Sequence, residues 1–488
     1  MYKKTYILIL CLILWSCDDF LDREPVEQVS ISQQFSSVSG LLSALNGAYG
    51  EYESIYSDLY FLYADAISGN VKFAPDQQGF ADVPTQFLPV YSFEEQSNEG
   101  TFTSFYNDAY GLINALNLIL ENIDDVPDLD PQKRQEVIAE SLAMRASIHF
   151  DLSKLFAQSY NFSENGQHLG VVYNTRTLVA GEDFPSRETL AETYNLIESD
   201  FIEAISLFSE TQALDFGPST SYFNELNVRA LLSRLYLYQG NWQNVIEQAD
   251  LVLNSDVSLT PRASLVQEWS NFEPISETLF EFTPPLTGDE GTVSSSVSSF
   301  FEVVIVNDEV LEYGRYTASI DLISLYEDND IRGEEGLLLT QNIPTQTATE
   351  VVDLPYTFTQ KFPANDGAVM IRLSEVLLNK AEAHARLGED IQAQTSLQTI
   401  RERADPNAEL IMLNGQDLRD EILLERRREL AFEGHLVFDL ARTGQSIVRN
   451  DGCNISICQL DYPNNRFILP IPESSILINE NMVQNEGY

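Results

Sequence analysis

Basic residues are scarce in this sequence. It has 28 lysines and arginines against 75 aspartates and glutamates, so its formal net charge is −47 over 488 residues. Binding to nucleic acid is disfavoured, because it needs a basic face that neutralises phosphates. Docking on an anionic membrane through a polybasic patch is disfavoured for the same reason. Hydrophobic residues make up 44% and aromatic residues 11% of the chain, so a large buried core is expected rather than disorder.

Long hydrophobic runs are also scarce, and the clearest one lies at the start of the chain. Residues 6–15 (YILILCLILW) follow Lys3 and Lys4 and are too few to span a bilayer, which takes about 20 residues. This is the pattern of a secretory signal. The run ends at Ser16-Cys17, which resembles a bacterial lipobox. We therefore predict a signal peptide at residues 1–16 and lipidation of Cys17; the alternative is a plain secretory signal with an incidental cysteine.

The residues after Cys17 read as a tether. Residues 17–35 are mostly polar and contain one proline. Asp18 and Asp19 resemble the acidic tag that directs lipoproteins of the Bacteroidetes to the cell surface. These features predict a lipid-anchored protein at the cell surface.

Cysteine is rare, with four residues in all. Cys11 leaves with the signal and Cys17 is lipidated, which leaves Cys453 and Cys458. An oxidising compartment allows a disulfide between them that closes a small loop. A zinc site would need further ligands, and no histidine is near in the sequence. Two free thiols are the remaining alternative.

Helical periodicity dominates the chain. Apolar residues recur at helical spacing in several long stretches. These stretches are residues 36–52, 102–123, 131–156 and 186–205. Two further stretches resemble tetratricopeptide helix pairs, with breaks at Gly240 and Gly388. The two pairs are far apart in sequence, so we predict a mainly α fold in which helices from distant segments stack.

Two segments lack helical periodicity. Residues 69–100 and 259–363 are rich in turn residues, and residues 301–306 have the β-branched composition of a short strand. We predict long loops with a few short strands in these segments. Irregular segments on a rigid helical frame are the usual place for binding sites.

The last part of the chain carries two extended motifs. Residues 424–444 read LERRRELAFEGHLVFDLARTG, and residues 465–488 read NRFILPIPESSILINENMVQNEGY. Both resemble the SusD/RagB family of nutrient-binding lipoproteins. The matching residues in the first motif are Glu425, Arg426, Arg427, Glu429, Leu430, Glu433, Gly434, Asp439 and Arg442. The matching residues in the second are Leu469, Pro470, Ile471, Pro472, Asn481, Gln484, Asn485, Gly487 and Tyr488. The first motif departs from the family pattern at residues 436–437, 441 and 443.

The resemblance implies a SusD-like fold and a function. Residues 36–258 would form an N-terminal helical region, and residues 259–488 a C-terminal region packed on the same scaffold. Family members are glycan-binding lipoproteins on the outer membrane. They act without catalysis and deliver oligosaccharides to a SusC-like TonB-dependent transporter. The resemblance therefore implies a glycan ligand, a transporter partner and no enzymatic activity. We predict no cofactor, with Ca²⁺ as the one alternative.

The first motif also has a charge pattern of its own. Four glutamates fall every four residues from Glu421 to Glu433, interleaved with three arginines. The arginines form either an anion-binding cluster or an internal ion-pair network. We favour the network, because the acids leave no free positive charge.

Enzyme and metal signatures are sparse. The four histidines form none of the common metal-binding motifs. They are His149, His168, His384 and His435. Acidic clusters at residues 128–130 and 327–330 offer oxygen ligands that suit Ca²⁺, although neither has full EF-hand spacing. The alternative is that both clusters are solvated turns.

Candidate glycan-binding residues come from the irregular segments. Aromatic rings stack on the apolar faces of sugars, and amides and guanidinium groups bind hydroxyls. The candidate aromatics are Trp269, Tyr91, Phe93, Phe73, Phe80 and Tyr313. The candidate hydroxyl partners are Asn70, Asn98 and Arg315. Trp269 ranks first, and the alternative for each aromatic is a place in the core.

Other functions remain open at the level of sequence. The strong negative charge favours a neutral glycan over an anionic one. A peptide-uptake lipoprotein of the RagB type would use the same fold. A surface glycoside hydrolase and a tetratricopeptide-type protein-binding scaffold are further alternatives.

Overall fold

We describe a computed structural model that covers residues 30–209, 212–214, 217–271, 274–282, 297–362 and 367–488. The predicted signal peptide, Cys17 and most of the tether lie outside these residues. No helix in the described ranges is both long and apolar enough to cross a membrane.

The described part of the chain is mainly helical. The helices are α1 (Ile31–Gln34), α2 (Val38–Ile55), α3 (Phe61–Ala66), α4 (Leu88–Tyr91), α5 (Thr103–Asn122), α6 (Pro131–Phe156), α7 (Leu190–Leu207), α8 (Glu225–Gln239), α9 (Trp242–Leu253), α10 (Arg262–Trp269), α11 (Ser298–Phe301), α12 (Ile320–Ile323), α13 (Leu373–Leu387), α14 (Asp390–Ala404), α15 (Gly415–Glu429), α16 (Leu436–Thr443) and α17 (Glu473–Ile478). The predicted mainly α fold is confirmed.

Short strands occupy the irregular segments. They are β1 (Val71–Phe73), β2 (Thr278–Phe282), β3 (Val303–Val306), β4 (Glu309–Tyr313), β5 (Tyr316–Ala318), β6 (Leu338–Gln346), β7 (Val351–Thr359), β8 (Ala368–Arg372), β9 (Ile447–Val448) and β10 (Gln459–Leu460). A four-stranded antiparallel sheet has the order β1-β5-β7-β6. The pairs β2–β8, β3–β4 and β9–β10 form separate two-stranded sheets. The strand predicted at residues 301–306 is confirmed over Val303–Val306 as β3, whereas Phe301 ends α11.

Two glycines end the first helices of the predicted helix pairs. Gly240 follows α8 with a φ of 74°, and Gly388 follows α13 with a φ of 77°. Glycine takes this left-handed conformation without the steric cost of a Cβ, so it ends each helix and lets the next one turn back. Helix α9 packs against α13, so the two pairs stack although a long segment separates them in sequence.

Helix α10 was not predicted. Residues 262–269 were assigned to an irregular segment, but Pro261 in an extended conformation precedes a two-turn helix there. Leu265 and Trp269 are four residues apart and both are buried. Turn residues on both sides of this short helix obscured the helical spacing of its two apolar residues. Because the helix was missed, the expected position of Trp269 is also affected.

A glycine inside α2 provides a test of helix energetics. A Cβ built on Gly47 would meet no heavy atom within 4 Å, and Gly47 does not have a positive φ. Gly47→Ala is expected to raise the free energy of unfolding by about 0.5–1 kcal/mol, because alanine loses less backbone entropy in a helix. Gly240→Ala is expected to lower it, since alanine is strained at positive φ. Urea unfolding measures the change in the free energy of unfolding for both variants. A change in the same direction for both would contradict this account.

Candidate functional site

The candidate site lies on the four-stranded sheet, where distant segments meet. Residues 74–82, which we call the Phe80 loop, follow β1 and lie against the β6–β7 hairpin. The Gln346 N–H donates to the Gly79 carbonyl at 2.8 Å. Below the loop, Ala74 joins Ile343 and Phe358 in a small apolar cluster of its own. The loop therefore sits on a packed base.

Hydrogen bonds from one aspartate define the shape of the Phe80 loop. Asp76 Oδ1 accepts the backbone N–H groups of Gln78 and Phe80, both at 2.9 Å. The Asp76 N–H donates to the Phe80 carbonyl at 2.9 Å, and Gly79 takes a φ of 88°. Aspartate commonly bonds to its own backbone in this way at turns. As a result Phe80 stands at the end of a tight turn with 46% of its surface exposed.

Arg315 directly precedes β5 and holds the Phe80 loop. Its Nε donates to the Ala74 carbonyl at 3.2 Å. Its Nη2 donates to the carbonyls of Phe80 at 3.3 Å and Asp82 at 2.5 Å. The guanidinium group thus donates three hydrogen bonds to backbone carbonyls of the loop. Its main role in this structure is to position the loop, although it is only half-buried.

Tyr313 lies beside this clamp at the end of β4. Its ring packs against Phe358 with centroids 6.0 Å apart, and the residue is half-buried. Burial raises the pKa of the Tyr313 hydroxyl, and the negative charge of Asp76 adds to this effect while Arg315 opposes it. The hydroxyl therefore stays protonated at neutral pH and keeps its ability to donate. We call Phe80, Tyr313 and Arg315 together the sheet face.

A disulfide loop borders the sheet face. Cys453 and Cys458 are joined, with Cα atoms 5.8 Å apart, and residues 451–458 form the loop. A Cβ on Gly452 would come within 2.5 Å of the Lys72 Cβ, so the loop packs closely on β1. Lys72 Nζ lies 3.7 Å from Asp451 Oδ2 and 5.1 Å from the centroid of the Tyr356 ring. These contacts join the disulfide loop to the sheet.

Three of the candidate aromatics lie beneath the surface instead of on it. Phe73, Tyr91 and Phe93 are at most 6% exposed. The rings of Phe73 and Tyr91 meet edge to face at 5.1 Å. The Arg449 guanidinium covers Tyr91 at 4.0 Å and Phe93 at 4.8 Å. Their predicted exposure is wrong, because these rings form the apolar base that supports the sheet and α4.

Trp269 requires the largest correction. It ends α10 with 4% of its surface exposed and meets Phe362 edge to face at 5.5 Å. Lys361 Nζ lies 5.5 Å from the centroid of its ring. The indole is therefore part of the core beside buried charges, and it offers no open face for stacking. The expectation that it lies in a surface loop is wrong, because α10 carries it inward.

The two candidate asparagines lie in different environments, because Asn70 is buried and Asn98 is exposed. Asn70 is 1% exposed; its Nδ2 donates to Asp65 at 2.6 Å and its Oδ1 accepts from Arg427 Nε at 2.8 Å. Its predicted role as an open hydroxyl partner is thus wrong, because both ends of its amide are occupied. Asn98 is exposed in the turn before α5. Of the predicted set, the structure brings Phe80, Tyr313 and Arg315 together near the surface, whereas Phe73 and Tyr91 meet beneath it.

Asp76, Lys72 and Tyr356 were missed by the sequence analysis. The spacing of Asp76 and Gly79 is a turn signal that identifies the Phe80 loop in retrospect. The positions of Lys72 and Tyr356 follow from strand pairing, which gives no local signal.

The acidic clusters have structural partners. Asp130 caps α6 by accepting the N–H groups of Gln132 and Lys133, and Asp330 binds the guanidinium of Arg332. Across the described ranges, no group of three or more histidine, cysteine or acidic side chains is arranged to hold a metal ion.

Comparisons with known proteins agree with this architecture. A family model described as starch-binding associating with outer membrane matches residues 19–237, and the SusD family model matches residues 349–488. SusD-like protein P2 of Formosa agariphila is 25% identical over all of this chain and 99% of its own length.

Solved structures show the same fold. A SusD superfamily protein from Bacteroides vulgatus superposes with a TM-score of 0.79 and 26% identity, covering 93% of this chain and all of that one. A second, from Bacteroides thetaiotaomicron, has a TM-score of 0.78 and 26% identity, with 92% and 99% covered. The family indicated by the two C-terminal motifs is confirmed, and the chain belongs to the SusD family.

Proposed function

We propose that this protein captures a neutral glycan at the sheet face and delivers it to a SusC-like TonB-dependent transporter in the outer membrane. The observation that carries the proposal is an exposed aromatic ring on a rigid loop, within a chain whose family model is described as starch-binding. The lipidated Cys17 would hold the protein on the outer side of that membrane.

The chemistry of the sheet face suits a sugar. The exposed Phe80 ring offers an apolar surface for the CH face of a pyranose. The Tyr313 hydroxyl can donate to a sugar hydroxyl, and the exposed amides of Gln77 and Gln78 lie on the same loop. Because Asp76 and Arg315 already hold the loop, little conformational entropy is lost on binding.

The charge of the protein restricts the ligand. With a net charge of −47, the surface repels sulfated glycans and uronic acids unless a cation such as Ca²⁺ bridges them. A neutral oligosaccharide has no such barrier. Capture and release require no covalent step, so the proposed role is binding alone, without enzymatic activity or a resident cofactor.

Replacing Phe80 with alanine tests this proposal. We expect the affinity for the bound glycan to fall by about tenfold or more, because the stacking surface is removed while the loop keeps its hydrogen bonds. Affinity electrophoresis of the soluble body (residues 18 onward) in gels containing neutral and anionic polysaccharides measures the change.

The matched control is Phe162→Ala, which removes a ring that is 36% exposed and lies on another part of the surface. It should migrate like the unmodified protein. Equal retardation of Phe80→Ala and the unmodified protein would contradict the sheet-face assignment. Retardation by none of the polysaccharides, together with binding to peptides, would favour the peptide-uptake function.

A further inference from the structure

A second concave site lies away from the sheet face. A cavity of about 580 Å³ opens between α5, residues 172–185 and the end of the chain around α17. Its lining is mostly apolar, with Leu178, Phe184, Ile478 and Met482 among its side chains. Cavities of this size and composition are typical of binding sites.

Side-chain amides hold the walls of this cavity in place. Asn114 Oδ1 accepts the Leu178 N–H at 2.7 Å. Asn479 Nδ2 donates to the Pro185 carbonyl at 2.8 Å, and Asn481 Nδ2 donates to the Phe184 carbonyl at 2.7 Å. Three segments that are distant in sequence are thus bonded to one another, so the cavity exists before any partner binds.

Apolar side chains are concentrated at the rim. Ile478 is 72% exposed, Val179 49% and Phe184 42%. Exposed apolar groups that cluster around a concavity indicate an interaction site rather than ordinary surface.

The charges around the opening are acidic. Asp108, Glu182 and Glu480 are exposed and adjoin lining residues in sequence. The nearby Arg176 is already bound to Asp183, with Nη2 and Oδ1 2.5 Å apart. Among the described residues, no lysine or arginine lines the cavity. An occupant that is apolar and flanked by positive charge therefore complements both the walls and the rim.

We propose that this cavity docks a segment of a partner polypeptide, which inserts a bulky apolar side chain and places lysine or arginine against the acidic rim. The exposed side chain of Asn107 offers both an amide donor and a carbonyl acceptor, the pair that matches a peptide backbone. This site is separate from the sheet face and does not depend on glycan binding.

Gly111 gives the variant that blocks the cavity. It lines the cavity on α5, and a Cβ built on it meets no heavy atom within 4 Å. Gly111→Trp should therefore fill the open space without disturbing the helix. Gly50→Trp is the matched control, because Gly50 is also an exposed glycine in a long helix with no neighbour within 4 Å.

The probe is a fluorescein-labelled synthetic peptide with a central tryptophan between leucines and a lysine at each end. We expect fluorescence anisotropy to show binding to the unmodified protein and to Gly50→Trp, and at least tenfold weaker binding to Gly111→Trp and to Ile478→Ser. Replacing the tryptophan by alanine or the lysines by glutamates in the peptide should weaken binding similarly. Circular dichroism checks that each variant is folded.

Three results would overturn the proposal. The first is equal binding of the peptide to Gly111→Trp and Gly50→Trp. The second is binding that survives loss of the tryptophan, which would reveal nonspecific attraction to an acidic surface. The third is a preference for a neutral maltooligosaccharide that Gly111→Trp abolishes, which would make the cavity a sugar site.

Discussion

Arg372→Met is expected to lower the free energy of unfolding by about 3–5 kcal/mol. Arg372 ends β8 and is 1% exposed. Its Nε lies 2.7 Å from Glu433, its Nη1 lies 2.7 Å from Glu429, and Nη1 also binds Glu277. Methionine fills a similar volume without charge, so buried carboxylates lose a cation that they share. Removing one partner of such a network costs more than the network itself contributes.

Two comparisons make this test specific. Arg134→Met removes an exposed ion pair with Asp124 and is expected to cost less than about 1 kcal/mol. Arg372→Lys keeps the charge but loses the planar fork, so an intermediate loss is expected. Urea unfolding followed by circular dichroism measures all three. Similar losses for Arg372→Met and Arg134→Met would show that burial does not control the effect.

Acid is expected to destabilise the protein steeply below about pH 4.5. Burial alone would raise the pKa of Glu382, but Arg442 and its hydrogen bonds at 2.7 and 2.8 Å lower it to about 2. The ordinary value is 4.5, so the folded state binds a proton less readily than the unfolded chain. The resulting stability, about 3 kcal/mol, is fully present above pH 4.5 and is lost as the pH falls towards 2.

Glu382→Gln separates this contribution from the rest of the protein. The difference in unfolding free energy between the two proteins should shrink by about 2 kcal/mol from pH 7 to pH 3, because glutamine does not titrate. Glu225→Gln, at an exposed pair with Arg229, should show little change with pH. A difference that stays constant over this range would mean that Glu382 does not carry the pH dependence.

Other carboxylates should reinforce the acid effect. Burial opposes the charged forms of Glu433 and Asp439, but neighbouring arginines lower the pKa of both. Glu140 acts in the opposite direction, because burial raises its pKa to about 7. Its contribution changes between pH 7 and 4.5; below pH 4.5 the folded and the unfolded states both carry the proton, so it does not mask the loss predicted there.

The ion pairs formed by residues of α15 show which partners the spacing of charges along a helix can predict. Glu425 and Arg428 are three residues apart on one helix, as the spacing of charges suggests for a pair, and they lie 3.0 Å apart. Arg426 instead binds Asp439 at 3.2 Å, and Glu429 binds arginines from other segments, including Arg332 at 2.9 Å. Helical spacing predicted the internal network correctly for Arg426 and Arg428, whereas Arg427 donates to the Asn70 amide oxygen and the Gly69 carbonyl. It could not identify partners on other elements, whether they are 13 residues away, as Asp439 is from Arg426, or 97, as Arg332 is from Glu429.

The candidate site illustrates the same limit. Phe80 and Trp269 both lie in segments rich in turn residues, so no local pattern shows which ring is exposed. The bonds of Asp76 and Arg315 hold Phe80 outward, whereas α10 carries Trp269 into the core. The expected exposure of Trp269 is therefore wrong, although the sheet face lies within the predicted irregular segments.

The helical class, the two glycine-ended helix pairs and the family could be predicted from the amino-acid sequence, because each depends on a local pattern or a contiguous motif. Tertiary structure decided which aromatics reach the surface, which arginines neutralise the buried glutamates, and where α5 and α17 leave a cavity. Those features depend on contacts between distant segments, and burial is a property of all the neighbours that the fold brings to a side chain.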